Sequence, residues 1–178
     1  MREMKKAFVL LKTELGTGDY SLKEIRKLKI PGVTEIHSIT GRHDIIVEVI
    51  GDDMDEIKEI VEQIRKVSHL TSTETFMCQE KIPEGPEKPR KEALAYVLIT
   101  TRPADELKVV ETVRKVEGVL EALPTWGNWD IFSQITADDM EAFKGIVKEI
   151  VQKAGKGKIQ NTLTLIVVEQ KDKKKKTS

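Results

Sequence analysis

Apolar positions along this chain follow two rhythms, and the order of those rhythms occurs twice. Phe8, Val9, Leu10 and Leu11 run without polar interruption, which predicts a strand over 7–13 buried on both faces. Leu22, Ile25 and Leu28 then keep a helical spacing, and Ile30-Pro31-Gly32 predicts the stop, since proline disfavours helix before it and glycine turns the corner. Strands are predicted over 33–40 and 44–50, joined at Gly41-Arg42-His43 as a hairpin. Asp52 is the expected N-cap of a second helix, whose apolar face is Ile57, Ile60, Val61, Ile64 and Val67. A strand over 73–79 closes the first unit.

The second unit repeats the order. Strands are predicted over 94–101, 119–125, 129–136 and 161–169, with one helix carrying Leu107, Val110, Val113 and Val116. The other helix presents Met140, Phe143, Ile146, Val147, Ile150 and Val151. The register is tight in the middle: Gly32 and Gly118, Gly41 and Gly127, Asp44 and Asp130, and Met54 and Met140 are each 86 residues apart. A repeat of this length is a whole folding unit.

The expected organisation is a first βαββαβ unit over 1–80, a proline-rich linker over 81–92, a second unit over 93–170 and a lysine-rich disordered tail over 171–178. Each unit gives an antiparallel sheet with both helices on one face. Ile45, Val47 and Val49 point to one face and Ile46 and Ile50 to the other, so the second face needs cover too. The matching sheet of the other unit supplies it at about 10 Å. The expected fold class is therefore α+β: two ferredoxin-like βαββαβ units packed sheet to sheet within one chain, with the helices outside.

Composition narrows the chemistry. Thirty basic and thirty acidic residues cancel across 178 residues, so no global field steers nucleic acid or an anionic membrane. A single cysteine, Cys78, excludes an intramolecular disulfide, and no stretch has the roughly 20 apolar residues of a membrane span. The expected compartment is the cytoplasm. His37, His43 and His69 show no metal-ligand spacing, and no serine or cysteine has a base placed beside it by sequence. Gly16-Thr17-Gly18 lacks the third glycine of a phosphate loop. No cofactor, metal or catalytic residue is expected.

Certain motifs, taken in order, resemble the effector-binding domain (RAM) of the leucine-responsive regulator family, Lrp/AsnC. They are Ile30-Pro31-Gly32-Val33-Thr34-Glu35, Thr40-Gly41-Arg42-His43-Asp44-Ile45 and Thr73-Glu74-Thr75. The match covers nearly all of the first unit and, more loosely, the second. The resemblance implies a dimeric α/β barrel, here supplied by one chain, and a small effector, typically an amino acid, bound at an interface between such barrels. It implies a homo-oligomer and a regulatory role; a separate reading is a partner-binding subunit that docks to a helix-turn-helix homologue through exposed strand edges. The first strand is predicted to start at residue 7, so no counterpart of the family's usual DNA-binding domain is expected before it, and neither is direct sequence-specific DNA binding.

The candidate ligand-binding residues are Gly41, Arg42, His43 and Asp44 of the first hairpin and Gly127, Asn128, Trp129 and Asp130 of the second. Thr73, Thr75, Thr162 and Thr164 on the closing strands complete the set. Each has a plain structural account beside the functional one. Glycine permits the tight hairpin, aspartate accepts hydrogen bonds from the turn, and threonine is a β-branched strand residue. Functionally, the aspartates would accept a ligand ammonium and Arg42 would hold a carboxylate. Trp126 and Trp129 suit an oligomer interface or an apolar lid. Two alternatives share the architecture: a dimeric α/β-barrel enzyme, oxygenase or haem-dependent, with a titratable group inside the barrel, and tandem ACT domains, which the Gly-x-x-Asp hairpin fits less well.

Overall fold

The computed structural model describes residues 3–168. The basic tail over 171–178 and the last residue of the closing strand predicted over 161–169 lie outside the described residues. The first unit runs β1 (Lys5–Thr13), α1 (Gly18–Leu28), β2 (Val33–Ser38), β3 (Ile45–Gly51), α2 (Met54–Arg65) and β4 (Leu70–Met77). The second runs β5 (Ala93–Thr101), α3 (Glu106–Arg114), β6 (Val119–Pro124), β7 (Ile131–Ala137), α4 (Met140–Ala154) and β8 (Ile159–Ile166). The sheets have the order β2-β3-β1-β4 and β6-β7-β5-β8, antiparallel throughout.

Three apolar layers follow from the period-two alternation of the strands. One packs Val9, Leu11, Val47 and Val49 under Ile25, Ile57 and Ile64 of α1 and α2. Its counterpart packs Val97, Ile99 and Ile135 under Val110, Val113 and Ile150 of α3 and α4. The third layer belongs to both units: Phe8, Leu10, Ile46 and Phe76 meet Tyr96, Leu98, Phe132 and Leu165 between the sheets. Phe132 stacks on Phe8 at 4.8 Å and tilts against Phe76 at 4.8 Å.

The two sheets also join at their edges. Ile39 bridges Val167, and Cys78 bridges Thr125. Thr40 N donates to Ile166 O at 3.0 Å, and Trp126 N donates to Met77 O at 2.9 Å. Each hairpin is thus tied to the closing strand of the opposite unit, which joins the sheets at two seams.

Several local expectations shift. Asp53, not Asp52, caps α2: its side chain accepts from Glu56 N, and Asp139 does the same for α4 through Ala142 N. Met140 and Val151, expected on the apolar face of α4, are half exposed, because the helix turns only part of that stripe to the sheet. The corner glycines are required by space as well as by backbone. A Cβ on Gly32 (φ 91°) would lie 2.5 Å from Ile60 Cδ1 and 2.6 Å from Ile50 O.

A shared middle layer makes the halves interdependent. Phe132→Ala is expected to cost about 3–5 kcal/mol in chemical denaturation and to leave one unfolding transition. Two resolved transitions, only one of them displaced, would count against a common core.

Candidate functional site

The hairpin aspartates are anchored to the ends of their central strands. Asp44 Oδ2 accepts from Thr13 N at 2.8 Å and from Thr13 Oγ1 at 3.1 Å, while Asp44 N donates to Leu11 O at 2.8 Å. Asp130 Oδ2 accepts from Thr101 N at 2.8 Å, and Asp130 N donates to Ile99 O at 2.9 Å. The hairpins diverge around this common staple. Gly41 and Arg42 are exposed, and His43 pairs with Glu74 at 3.3 Å. In the second hairpin Gly127 and Asn128 are exposed, Trp129 packs against the middle layer, and Trp126 stands 63% exposed.

The threonines take a different side. Thr73 and Thr75 pair with Leu11 and Val9, and Thr162 and Thr164 with Ile99 and Val97, all on the helix-covered faces of their sheets. Thr73 Oγ1 accepts from Arg65 Nε of α2 at 3.0 Å. The structure therefore gathers the hairpin residues at the barrel's closing seams and sets the four threonines on the opposite faces of the closing strands.

A second constellation lies between the sheets. Glu48 interrupts the apolar run of β3 on the face that looks into the barrel, and it is fully buried. Tyr96 OH donates to its Oε2 at 2.6 Å, and Lys6 Nζ lies 2.6 Å from its Oε1. Lys6 also pairs with Glu121 at 2.6 Å. Gln134, which sits 86 residues after Glu48, donates through Nε2 to Tyr96 OH at 3.0 Å and to Glu35 Oε2 at 3.1 Å. Glu35 in turn binds His37 Nε2 at 3.2 Å and the guanidinium of Arg90, a residue of the linker. Lys6, Glu35, Glu121 and Gln134 of this cluster line a groove of about 1010 Å³ whose other wall is the linker over 82–90.

Burial, followed by the hydrogen bond to Glu35, pushes the Glu48 carboxyl up to about 8, against the pull of Lys6. Burial acts on Glu35 in the same sense, but His37, Glu48 and Arg90 outweigh it and hold Glu35 well below the ordinary carboxylate range. Burial lowers Lys6, and the charges of Glu48 and Glu121 more than reverse that. The Tyr96 phenol is pushed up by burial and then by Glu48, and burial does the same to the Cys78 thiol, so neither ionises near neutral pH. The physical outcome is a neutral carboxyl beside an ionised one, held by a lysine and an arginine.

Sequence reasoning passed over Glu48, Glu35, Lys6, Tyr96 and Gln134. One signal was present: an acid in the otherwise apolar stretch 45–50, facing a glutamine at the matching position of the repeat.

Two outcomes test these geometries. Asp44→Ala leaves the half-buried end of β1 without its acceptor and is expected to cost about 1–3 kcal/mol in urea unfolding, with Asp130→Ala similar; values near zero would show that the staple holds nothing. For Glu48, the native state keeps a proton between pH 4.5 and about 8 that the unfolded chain has released. Its contribution is therefore full below 4.5, falls as pH rises to about 8, and is level above that. Glu35 has the opposite sign: its contribution is present above 4.5 and is lost in acid. Glu48→Gln should flatten the decline in unfolding free energy between about pH 5.5 and 8.5; an unchanged slope would contradict the assignment.

Among the described residues, no helix is long and apolar enough to cross a membrane. Comparison with known proteins places the whole chain. Homocitrate synthase of Sulfurisphaera tokodaii is 35% identical over 74 residues, which are 41% of this chain and 16% of that protein. The homocitrate synthase of Saccharolobus solfataricus is 32% identical over 74 residues, again 16% of its length. The chain thus spans only 16% of the length of these curated relatives. The siroheme decarboxylase NirDL superposes with a TM-score of 0.68 at 9% identity, covering 93% of this chain and 72% of that one. A chlorite dismutase mutant from Candidatus Nitrospira defluvii superposes at 0.57 with 12% identity, covering 93% and 92%. At such identities the likeness establishes the dimeric α/β-barrel fold alone. The model of the Lrp/AsnC ligand binding domain matches residues 6–87 and again 94–176, so the chain belongs to the Lrp/AsnC ligand binding domain family, with two copies in tandem.

Proposed function

We propose that this protein senses an amino acid or related metabolite, bound at the hairpin ends where copies of the chain meet, and converts binding into a change of assembly. Membership of an effector-binding family over both units is the observation that carries this reading. The geometry supports it. Asp44 and Asp130 staple their hairpins to the central strands, so the exposed tips are rigid platforms, which limits the ordering cost of binding. Arg42 offers a planar donor for a carboxylate, and Trp126 offers a large exposed apolar face for a neighbouring chain. The tips differ in chemistry, Arg42 and His43 against Asn128 and Trp129, so each chain presents two unlike sites. A ligand that completes its pocket between chains favours the assembled state. A helix-turn-helix regulator is the partner that would carry the signal to DNA.

A second reading is an enzyme of the oxygenase or haem-dependent type working inside the barrel. The buried titratable cluster of Glu35, His37, Glu48 and Tyr96 favours it. The stacked Phe8, Phe76 and Phe132 fill the middle of the barrel, and the open space lies outside, under the linker. That arrangement ranks the sensor first.

Thermal shift against the amino acids and related metabolites, with sedimentation on the same samples, is the test. A true effector at about 100 times its Kd should stabilise by ~2.7 kcal/mol and move the sedimentation coefficient. Arg42→Ala should weaken a carboxylate effector about tenfold or more. A panel in which no compound shifts either quantity would refute the proposal.

A further inference from the structure

Glu35 and His37 are two residues apart on β2, so their side chains leave the same face of the strand. Glu48 is the direct cross-strand partner of Glu35 on β3. One oxygen from each carboxylate and one imidazole nitrogen lie within 4.8 Å of one another. Three donors carried by two hydrogen-bonded strands form a more rigid set than donors on loops. The second unit supports them from behind: Tyr96 OH and Gln134 Nε2 both bind Glu48 Oε2, at 2.6 and 3.4 Å, the kind of outer contact that aims a metal ligand.

Glu48 Oε1 is fully buried, and Lys6 Nζ pairs with it at 2.6 Å. Glu35 and Glu121 are paired with the cations of Arg90 and Lys6, and Lys6 also holds the Glu48 carboxyl. These cations are not alike. Lys6 is 10% exposed and held by two carboxylates from opposite units. Arg90 is 49% exposed, sits on the linker and pairs with Glu35.

We infer that Glu35, His37 and Glu48 form a binding site for a first-row divalent metal ion of the zinc class, capped in its absence by the guanidinium of Arg90. One imidazole and two carboxylates are a mixed nitrogen and oxygen donor set that suits zinc and cobalt(II) better than calcium or magnesium. Entry of the ion frees Arg90 from β2 and so loosens the linker along the groove. The pairing is confined to unit one. The matching positions of unit two carry Glu121, Leu123 and Gln134, which lack the histidine and one carboxylate. The site goes beyond the proposed sensing function and does not rest on it.

Zinc or cobalt(II) titrated into the full chain tests the site by calorimetry, with cobalt absorption as the second readout. One saturable site per chain is expected. His37→Ala should weaken it about a hundredfold. Arg90→Ala should tighten it about tenfold, because it removes the competing cation. His43→Ala and His69→Ala, in surface pairs with Glu74 and Glu14, should change nothing. Absence of saturable binding, binding that survives His37→Ala, or binding left unchanged or weakened by Arg90→Ala would each overturn the inference. Arg90 lies on the exposed linker, so that variant decides the matter even if His37→Ala does not fold.

Discussion

The apolar layer between the two sheets is the constraint on which the rest of the molecule depends. Each unit has two helices, enough to cover one face of its sheet and not the other. Left alone, Phe8, Leu10, Ile46 and Phe76 of the first unit would face water, as would Tyr96, Leu98, Phe132 and Leu165 of the second. Aromatic side chains bury 150–250 Å² apiece, roughly, so the stack of Phe8, Phe76 and Phe132 dominates this layer. Joining the units in one chain makes their encounter intramolecular, which raises the effective concentration of each for the other.

Symmetry and its breaking explain the polar centre. Glu48 and Gln134, which are 86 residues apart and so occupy matching positions of the repeat, meet between the sheets. Two copies of Glu48 there would place like charges together in a dry layer, which is strongly unfavourable. The chain has Glu48 against Gln134, with Lys6 on one side and Glu35 on the other. Within one chain the two copies of the unit can carry different residues at matching positions. The same freedom gives one hairpin Arg42 and His43 and the other Asn128 and Trp129.

How much of this was legible in the residues varies with the physics involved. The pairing of the sheets could be read from 45–50 because apolar residues on both faces of a strand demand two covers. The hairpins could be read because Gly41 and Gly127 adopt positive φ and their aspartates follow at a fixed distance. The helix cap was displaced by one residue, since adjacent aspartates at 52 and 53 are indistinguishable without backbone angles. The polar cluster was hidden for a different reason. Its members come from β1, β2, β3, β5, β6, β7 and the linker, so only register brings them together. Lys6 precedes the apolar run that marked the first strand, and His37 gains meaning only from Glu48, which is eleven positions away in sequence and across a strand in space.

Native-state hydrogen exchange on β1 and β5 examines the shared core most directly. If the layer between the sheets binds the halves into one cooperative body, amides of both central strands should exchange only through global opening, with equal free energies and equal denaturant dependence. If β1 and β5 open separately, with distinct free energies, each half carries its own stability and the middle layer does not hold the molecule together.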